Sequence, residues 1–108
     1  MDTRLEDRLK KYHAQIEKLK EVELQYLELD ASEKSLFAEL FLQAEGRSIS
    51  EREARAAASP EWKDFKRGLA QAESARNHER RRLDLLQNAF NAEYTTYKIE
   101  AEAIKRSA

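Results

Sequence analysis

Glycine, proline and cysteine are scarce in this chain of 108 residues, which has 2 glycines, 1 proline and no cysteine. So few turn-forming residues leave little room for a sheet and favour helices. The absence of cysteine excludes disulfides, thiol nucleophiles and thiolate metal sites, and it fits a reducing compartment. The first residues lack the apolar stretch of a secretory signal, and the apolar runs are too short to cross a membrane. We therefore expect a cytoplasmic protein that does not contact a membrane.

Charged residues are abundant and nearly balanced. They make up 38% of the chain, with a net charge of -1, so no overall basic field attracts nucleic acid. Hydrophobic residues make up 41% and recur at helical spacing, which argues against disorder. The length is that of one domain, and we treat residues 1–108 as a single helical domain.

A long first helix is predicted over about residues 3–45. Thr3 and Glu6 have the spacing of a capping box, in which each side chain bonds the backbone N–H of the other residue. Gly46 is predicted to end the helix, because glycine tolerates the left-handed conformation that follows many helices. A heptad seam follows the cap, and the apolar residues become densest near the end of the helix, which we expect to be its most buried part. The early seam consists of Leu5, Leu9, Tyr12, Ile16 and Leu19, and the dense end holds Leu36, Phe37, Leu40, Phe41 and Leu42.

Two further helices are predicted after Gly46, over about residues 51–58 and 60–105. Ser50 and Glu53 form a second capping box, and Ser59 precedes Pro60, which suits the first position of a helix. No proline interrupts the last segment. Its seam is Trp62, Phe65, Leu69, Ala72, Arg76, Glu79, Leu83, Leu86, Phe90, Tyr94, Tyr97, Ala101 and Ile104.

Two long helices of similar length joined by a short one favour antiparallel packing. The predicted register places Leu36 beside Leu69 and Leu9 beside Tyr97. Charge supports the pairing, since residues 21–45 hold seven acidic residues and one basic, whereas residues 47–82 hold ten basic and six acidic. The predicted fold is all-α, a long antiparallel helical hairpin that resembles a coiled coil, with a short helix at the turn.

Residue patterns for catalysis or metal binding are missing. The two histidines, His13 and His78, do not converge in the predicted hairpin, and the chain has no His-x-x-x-His or Glu-x-x-His pair to build a metal site on one helix face. The chain has no phosphate-binding loop and no nucleophile motif, and a two-helix hairpin offers no pocket that would shift the pKa of a carboxyl group. We predict no catalytic residues, no cofactor and no metal site.

The segment from Arg76 to Arg82 carries four arginines, Arg76, Arg80, Arg81 and Arg82, which are the candidate nucleic-acid-binding residues. The favoured alternative is a solvated face that is neutralised by the acidic first helix. Arg76 and Glu79 also fall on seam positions. Either they fix the register and oligomeric state, as polar seam residues do, or the seam opens in the middle of the helix.

Apolar residues beyond the seam predict self-association. One partner helix cannot cover so wide a stripe, and a dimer would bury it. The dimer is the favoured homo-oligomer, and the alternative is a different protein that covers the same residues. The candidate partner or self-association surface consists of Leu27, Phe37, Phe41, Trp62 and Leu85.

The turn region resembles small helical proteins of tailed phages and prophages. The likeness covers about residues 36–97, and its core is AEGRSISEREARA at residues 44–56, followed by the Ser-Pro-Glu-Trp of residues 59–62. Genes for such proteins commonly lie near those for homologous recombination or single-strand annealing. The resemblance implies a phage or prophage protein in a bacterial cytoplasm, with a phage or host protein as partner. It suggests an accessory role in phage DNA recombination or replication, and it implies no activity or catalytic residue.

Overall fold

A computed structural model describes residues 3–107 and contains three α-helices. These are α1 (Thr3–Gln43), α2 (Ile49–Ala58) and α3 (Pro60–Ser107), and the described residues contain no β-strand. The prediction of an all-α helical hairpin with a short helix at the turn is therefore confirmed. None of the described helices has an apolar stretch long enough to cross a bilayer.

The start of α2 differs from the prediction, because Ser48 rather than Ser50 caps the helix. The Glu51 N–H donates to Ser48 Oγ at 3.1 Å, and the Glu51 carboxylate accepts from the Arg47 N–H at 3.2 Å. Ser48 and Glu51 have the same three-residue spacing as Ser50 and Glu53. The chain therefore contains two overlapping capping signals and uses the earlier one, which lengthens α2 by two residues.

The start of α3 agrees with the prediction. Ser59 Oγ accepts from the Trp62 N–H at 3.2 Å and donates to the Ala56 carbonyl at 2.7 Å. One serine hydroxyl thus satisfies a carbonyl at the end of α2 and an N–H at the start of α3. Pro60 is the first residue of α3, where its missing N–H costs no hydrogen bond.

Gly46 does not adopt the predicted left-handed conformation, since neither Gly46 nor Gly68, both within the described residues, has a positive φ. α1 ends at Gln43, and Arg52 Nε donates to the Ala44 carbonyl at 3.2 Å. A Cβ at position 46 would lie 3.1 Å from Arg52 Cγ and 3.3 Å from the Arg52 backbone nitrogen. Glycine is therefore suited to this position because the first turn of α2 approaches the backbone closely.

The chain divides into two compact units, each holding part of α1 and part of α3. Unit 2 is Val22–Arg76 and includes α2. There Lys66 Nζ lies 2.9 Å from Glu33 Oε1, and the Phe37 and Trp62 rings lie 4.9 Å apart. The predicted register paired Leu36 with Leu69, so it is wrong by about two helical turns. A slip of two turns keeps a heptad seam nearly intact, which is why the seam alone does not settle the register.

Unit 1 joins residues 3–21 to residues 77–107. Arg4 lies 4.0 Å from Glu93 and 3.9 Å from Glu100, whereas Gln15, further along α1, bonds Glu79, so α1 and α3 run antiparallel in this unit. Leu9 lines a small cleft of about 190 Å³ together with Phe90 rather than with Tyr97. The predicted register is therefore wrong here too. The seam of α3 continues past the start of α1, and its last residue, Ile104, is 69% exposed.

Few apolar side chains of the described residues are buried, and those of α1 are not concentrated at the end of the helix, where the greatest burial was predicted. Among the described residues, the buried apolar side chains are Leu5, Ala56 and Leu69. At the end of α1, Leu40 is only half-buried and Leu42 is 72% exposed. The prediction that this end is the most buried part of α1 is wrong, because the neighbouring helices cover only one side of its wide apolar stripe.

Candidate interaction groove

An open groove of about 800 Å³ lies in unit 2. Most of its wall belongs to α1, while α2 contributes Glu53 and α3 contributes Trp62. The α1 residues recur at three- and four-residue spacing, so one face of the helix forms the wall. These residues are Asp30, Ala31, Glu33, Lys34, Phe37, Ala38 and Phe41.

Aromatic rings form the apolar part of the groove. Trp62 packs edge-on against Phe37, with ring centroids 4.9 Å apart, and it stacks on Phe65 at 5.7 Å. Offset and edge-on pairs of this kind add about 0.5–1.5 kcal/mol beyond the area they bury. The three rings therefore hold α1 and the start of α3 together, and Phe37 and Trp62 still line the open groove.

Cationic side chains lie over two aromatic rings that line the groove, Phe41 and Trp62. Arg52 Cζ is 5.7 Å from the centroid of the Phe41 ring, and Lys66 Nζ is 5.6 Å from that of Trp62. Both cations have a second contact, Arg52 with the Ala44 carbonyl and Lys66 with Glu33. The cations thus stabilise the outer edge of the aromatic cluster while the groove itself stays open.

The groove combines apolar depth with a charged rim. Asp30, Lys34 and Glu53 are exposed at its edge, whereas Ala31 and Ala38 leave space along α1. Small residues between larger apolar ones allow a helix to approach closely, and charged edges restrict which helix fits. Chemically, the surface suits the apolar face of another helix.

A buried polar pair in unit 1 holds α1 to α3. Gln15 Nε2 donates to Glu79 Oε2 at 2.5 Å and to the Glu79 carbonyl at 3.0 Å. Lys18 Nζ lies 3.5 Å from Glu79 Oε1. The hydrogen bond from Gln15 lowers the pKa of Glu79 below its ordinary value of 4.5, and Lys18 acts in the same direction against the effect of burial.

This pair resolves the two interpretations of Glu79. Glu79 is only 5% exposed, so the pairing of α1 with α3 does not open at this position. A single polar residue in a seam penalises slipped pairings, because any slip separates the carboxylate from the amide that satisfies it. Gln15 was missed from the sequence, since a glutamine beside a seam carries no distinct pattern.

The arginine cluster does not form a single stripe. Arg76 belongs to unit 2, where its Cζ lies 4.0 Å from the centroid of the Tyr26 ring. Arg80, Arg81 and Arg82 belong to unit 1 and are exposed. Successive helical residues are separated by about 100°, so these three arginines spread over more than half the circumference of α3.

The five residues of the predicted partner surface fall in different places. Phe37, Phe41 and Trp62 are half-buried and meet in the groove. Leu27 is 53% exposed and lies one turn before the groove on α1. Leu85 is 69% exposed in unit 1 and does not belong to the groove. The alanines of the groove were missed, because alanine is common on any helix and gives no separate signal.

Comparison with known proteins gives no family assignment. A scan against family models and searches of curated proteins and solved structures found no match for this chain. No group of three histidine, aspartate or glutamate side chains within residues 3–107 is placed to hold a metal ion.

Proposed function

We propose that this chain is a non-catalytic helical interaction protein whose docking surface is the groove of unit 2. The observation that carries the proposal is the open space of about 800 Å³ bordered by Phe37, Phe41 and Trp62. Aromatic residues are enriched at the cores of protein interfaces, and here they are arranged along a helix beside small residues. An amphipathic helix is the ligand that such a groove accommodates.

A structural role for Glu79 supports the non-catalytic assignment. Its carboxylate is bonded by Gln15 and lies near Lys18, and these contacts join α1 to α3 within unit 1. A general acid or base needs a site where substrate reaches it, whereas this carboxylate is enclosed between packed helices.

The biological setting is proposed from the resemblance alone. The likeness of residues 36–97 to small phage and prophage proteins supports a role as an accessory factor in phage DNA recombination or replication. In that setting the partner is a phage or host protein in the bacterial cytoplasm.

The groove can be tested without a known partner. A displayed library of random amphipathic helices is selected against the purified chain, and its binders are measured against two variants. Ala38→Arg puts a charged side chain into the groove, while Ala70→Arg makes the same change at an exposed site of α3 that does not line it. We expect Ala38→Arg to weaken the binders about tenfold or more and Ala70→Arg to leave them unchanged. Binders that are insensitive to Ala38→Arg would overturn the proposal.

The alternative is direct nucleic-acid binding through Arg80, Arg81 and Arg82, and their exposure in unit 1 is the observation that favours it. Phosphate contacts make affinity fall steeply with salt. Salt-dependent binding of labelled DNA that is lost in an Arg80→Ala, Arg81→Ala and Arg82→Ala triple variant would support this alternative. Binding that survives the triple variant would exclude these arginines as its cause.

A further inference from the structure

The side of α1 along the groove carries a second heptad stripe, separate from the seam that packs on α3. Its residues follow spacings of 3, 4, 3, 4 and 3, and the last four of them line the groove. Leu24 is 58% exposed and Leu27 is 53% exposed, although both are large apolar residues at interface spacing. The stripe consists of Leu24, Leu27, Ala31, Lys34, Ala38 and Phe41.

We propose that this stripe pairs with the same stripe of a second copy, antiparallel, around a two-fold axis between Ala31 and Lys34. This inference rests on the proposed function, because it names the occupant of the groove. An isologous interface requires a self-complementary surface, in which each contact occurs twice. The size and charge patterns of the stripe meet that requirement.

Side-chain sizes are complementary in the antiparallel alignment that sets Ala31 opposite Lys34 of the second copy. Leu27 then faces Ala38 of the second copy, so a large residue meets a small one. Leu24 faces Phe41 of the second copy, beside the open space that Trp62 borders. Large residues opposite small ones allow two helices to interdigitate at close distance.

Charge selects this alignment. Lys34 of each copy comes beside Asp30 of the other, which gives two equivalent ion pairs, and both residues are exposed. Glu28, on the flank of the stripe, comes beside Ser35 of the second copy instead of another carboxylate. Parallel pairing would set Lys34 against Lys34 and Glu23 against Glu28, and like charges at such positions disfavour association.

The experiment is sedimentation velocity on the full chain at concentrations from about 1 to 100 µM. This range covers dimer dissociation constants in the micromolar range. The wild type should form a dimer of twice the 12.6 kDa chain mass. Asp30→Lys and Lys34→Glu should each weaken the dimer about tenfold or more, because each creates two repulsive pairs. Mixing the two variants should restore a heterodimer, since both contacts are then attractive.

Two controls separate the possible outcomes. Glu39→Lys reverses a charge on an exposed face of α1 that does not line the groove, and it should leave the dimer intact. The double variant Asp30→Lys with Lys34→Glu should form a dimer by itself, which parallel pairing would not allow. Circular dichroism confirms that each variant is folded.

A wild type that stays at 12.6 kDa would overturn the proposed dimer, as would single variants that remain dimeric. A monomer that still binds selected helices through Ala38 would leave the proposed function intact. Because the second copy would occupy the groove, helix binding is measured at dilutions at which the chain is a monomer. Selected helices that are insensitive to Ala38→Arg under those conditions would instead contradict the proposed function.

Discussion

Replacing Leu69 with alanine should destabilise the protein substantially. Leu69 is 8% exposed in α3, so its side chain is nearly removed from water. Truncating a buried leucine to alanine costs about 2–5 kcal/mol. Only three apolar side chains of the described residues are buried, so the core is sparse and the cavity can partly collapse. We therefore expect a loss of about 2–3 kcal/mol in the free energy of unfolding. For a chain of this size, that loss lowers the melting temperature by roughly 8–20 °C.

The matched control is Leu85→Ala, the same substitution on the same helix at a side chain that is 69% exposed. We expect its effect to stay within about 0.5 kcal/mol. Urea unfolding followed by circular dichroism at 222 nm, the standard helix wavelength, measures both variants. Equal losses for Leu69→Ala and Leu85→Ala would refute the helix pairing described here, because the two residues would then have similar environments.

The remaining predictions concern the polar pair and the glycines. Because the folded-state pKa of Glu79 is lowered, its ionised form stabilises the fold above the ordinary value of 4.5, and this contribution is lost as pH falls through the folded-state pKa. Glu79→Gln should therefore be less stable than wild type at pH 7, and the difference in melting temperature should shrink on acidification. A difference in melting temperature that stays constant across pH would contradict the role of the charge. Gly68→Ala in α3, where an added Cβ meets nothing within 4 Å, should stabilise the protein by about 0.5–1 kcal/mol. Gly46→Ala should destabilise the protein by about 1 kcal/mol because of the close approach of Arg52. Thermal melts in which both glycine variants change the melting temperature in the same direction would contradict this contrast.

Helix content was predictable because caps and periodicity act locally. Ser59 and Pro60 started α3 as expected, and few breakers interrupt the helices. The first residue of α2 was ambiguous in the sequence, because Ser48 with Glu51 and Ser50 with Glu53 have the same capping-box spacing. The structure decides between them, because the Glu51 N–H donates to Ser48 Oγ and the first turn of α2 is also held to the end of α1 by Arg52.

The register was not predictable from the seam, because a heptad repeat allows slips of two turns at little cost in seam contacts. The contacts that set it are specific pairs such as Gln15 with Glu79 and Glu33 with Lys66. The aromatic residues of the groove were predictable as an apolar surface. That they share one groove with Ala31 and Ala38 was not predictable, because it depends on the register. The shape of the groove depends on how α3 is placed beside α1 within unit 2.

Docking in the groove can be measured most directly through Trp62, the only tryptophan in the chain. Its ring borders the groove, so the fluorescence of the chain reports on occupancy. A selected helical peptide without tryptophan is titrated to saturation, and binding is confirmed independently by calorimetry. We predict that Trp62 emission shifts to shorter wavelength and that acrylamide quenching decreases, because the bound helix excludes water from the ring. Unchanged emission and quenching at saturation would show that the helix binds elsewhere and would contradict the proposed docking surface.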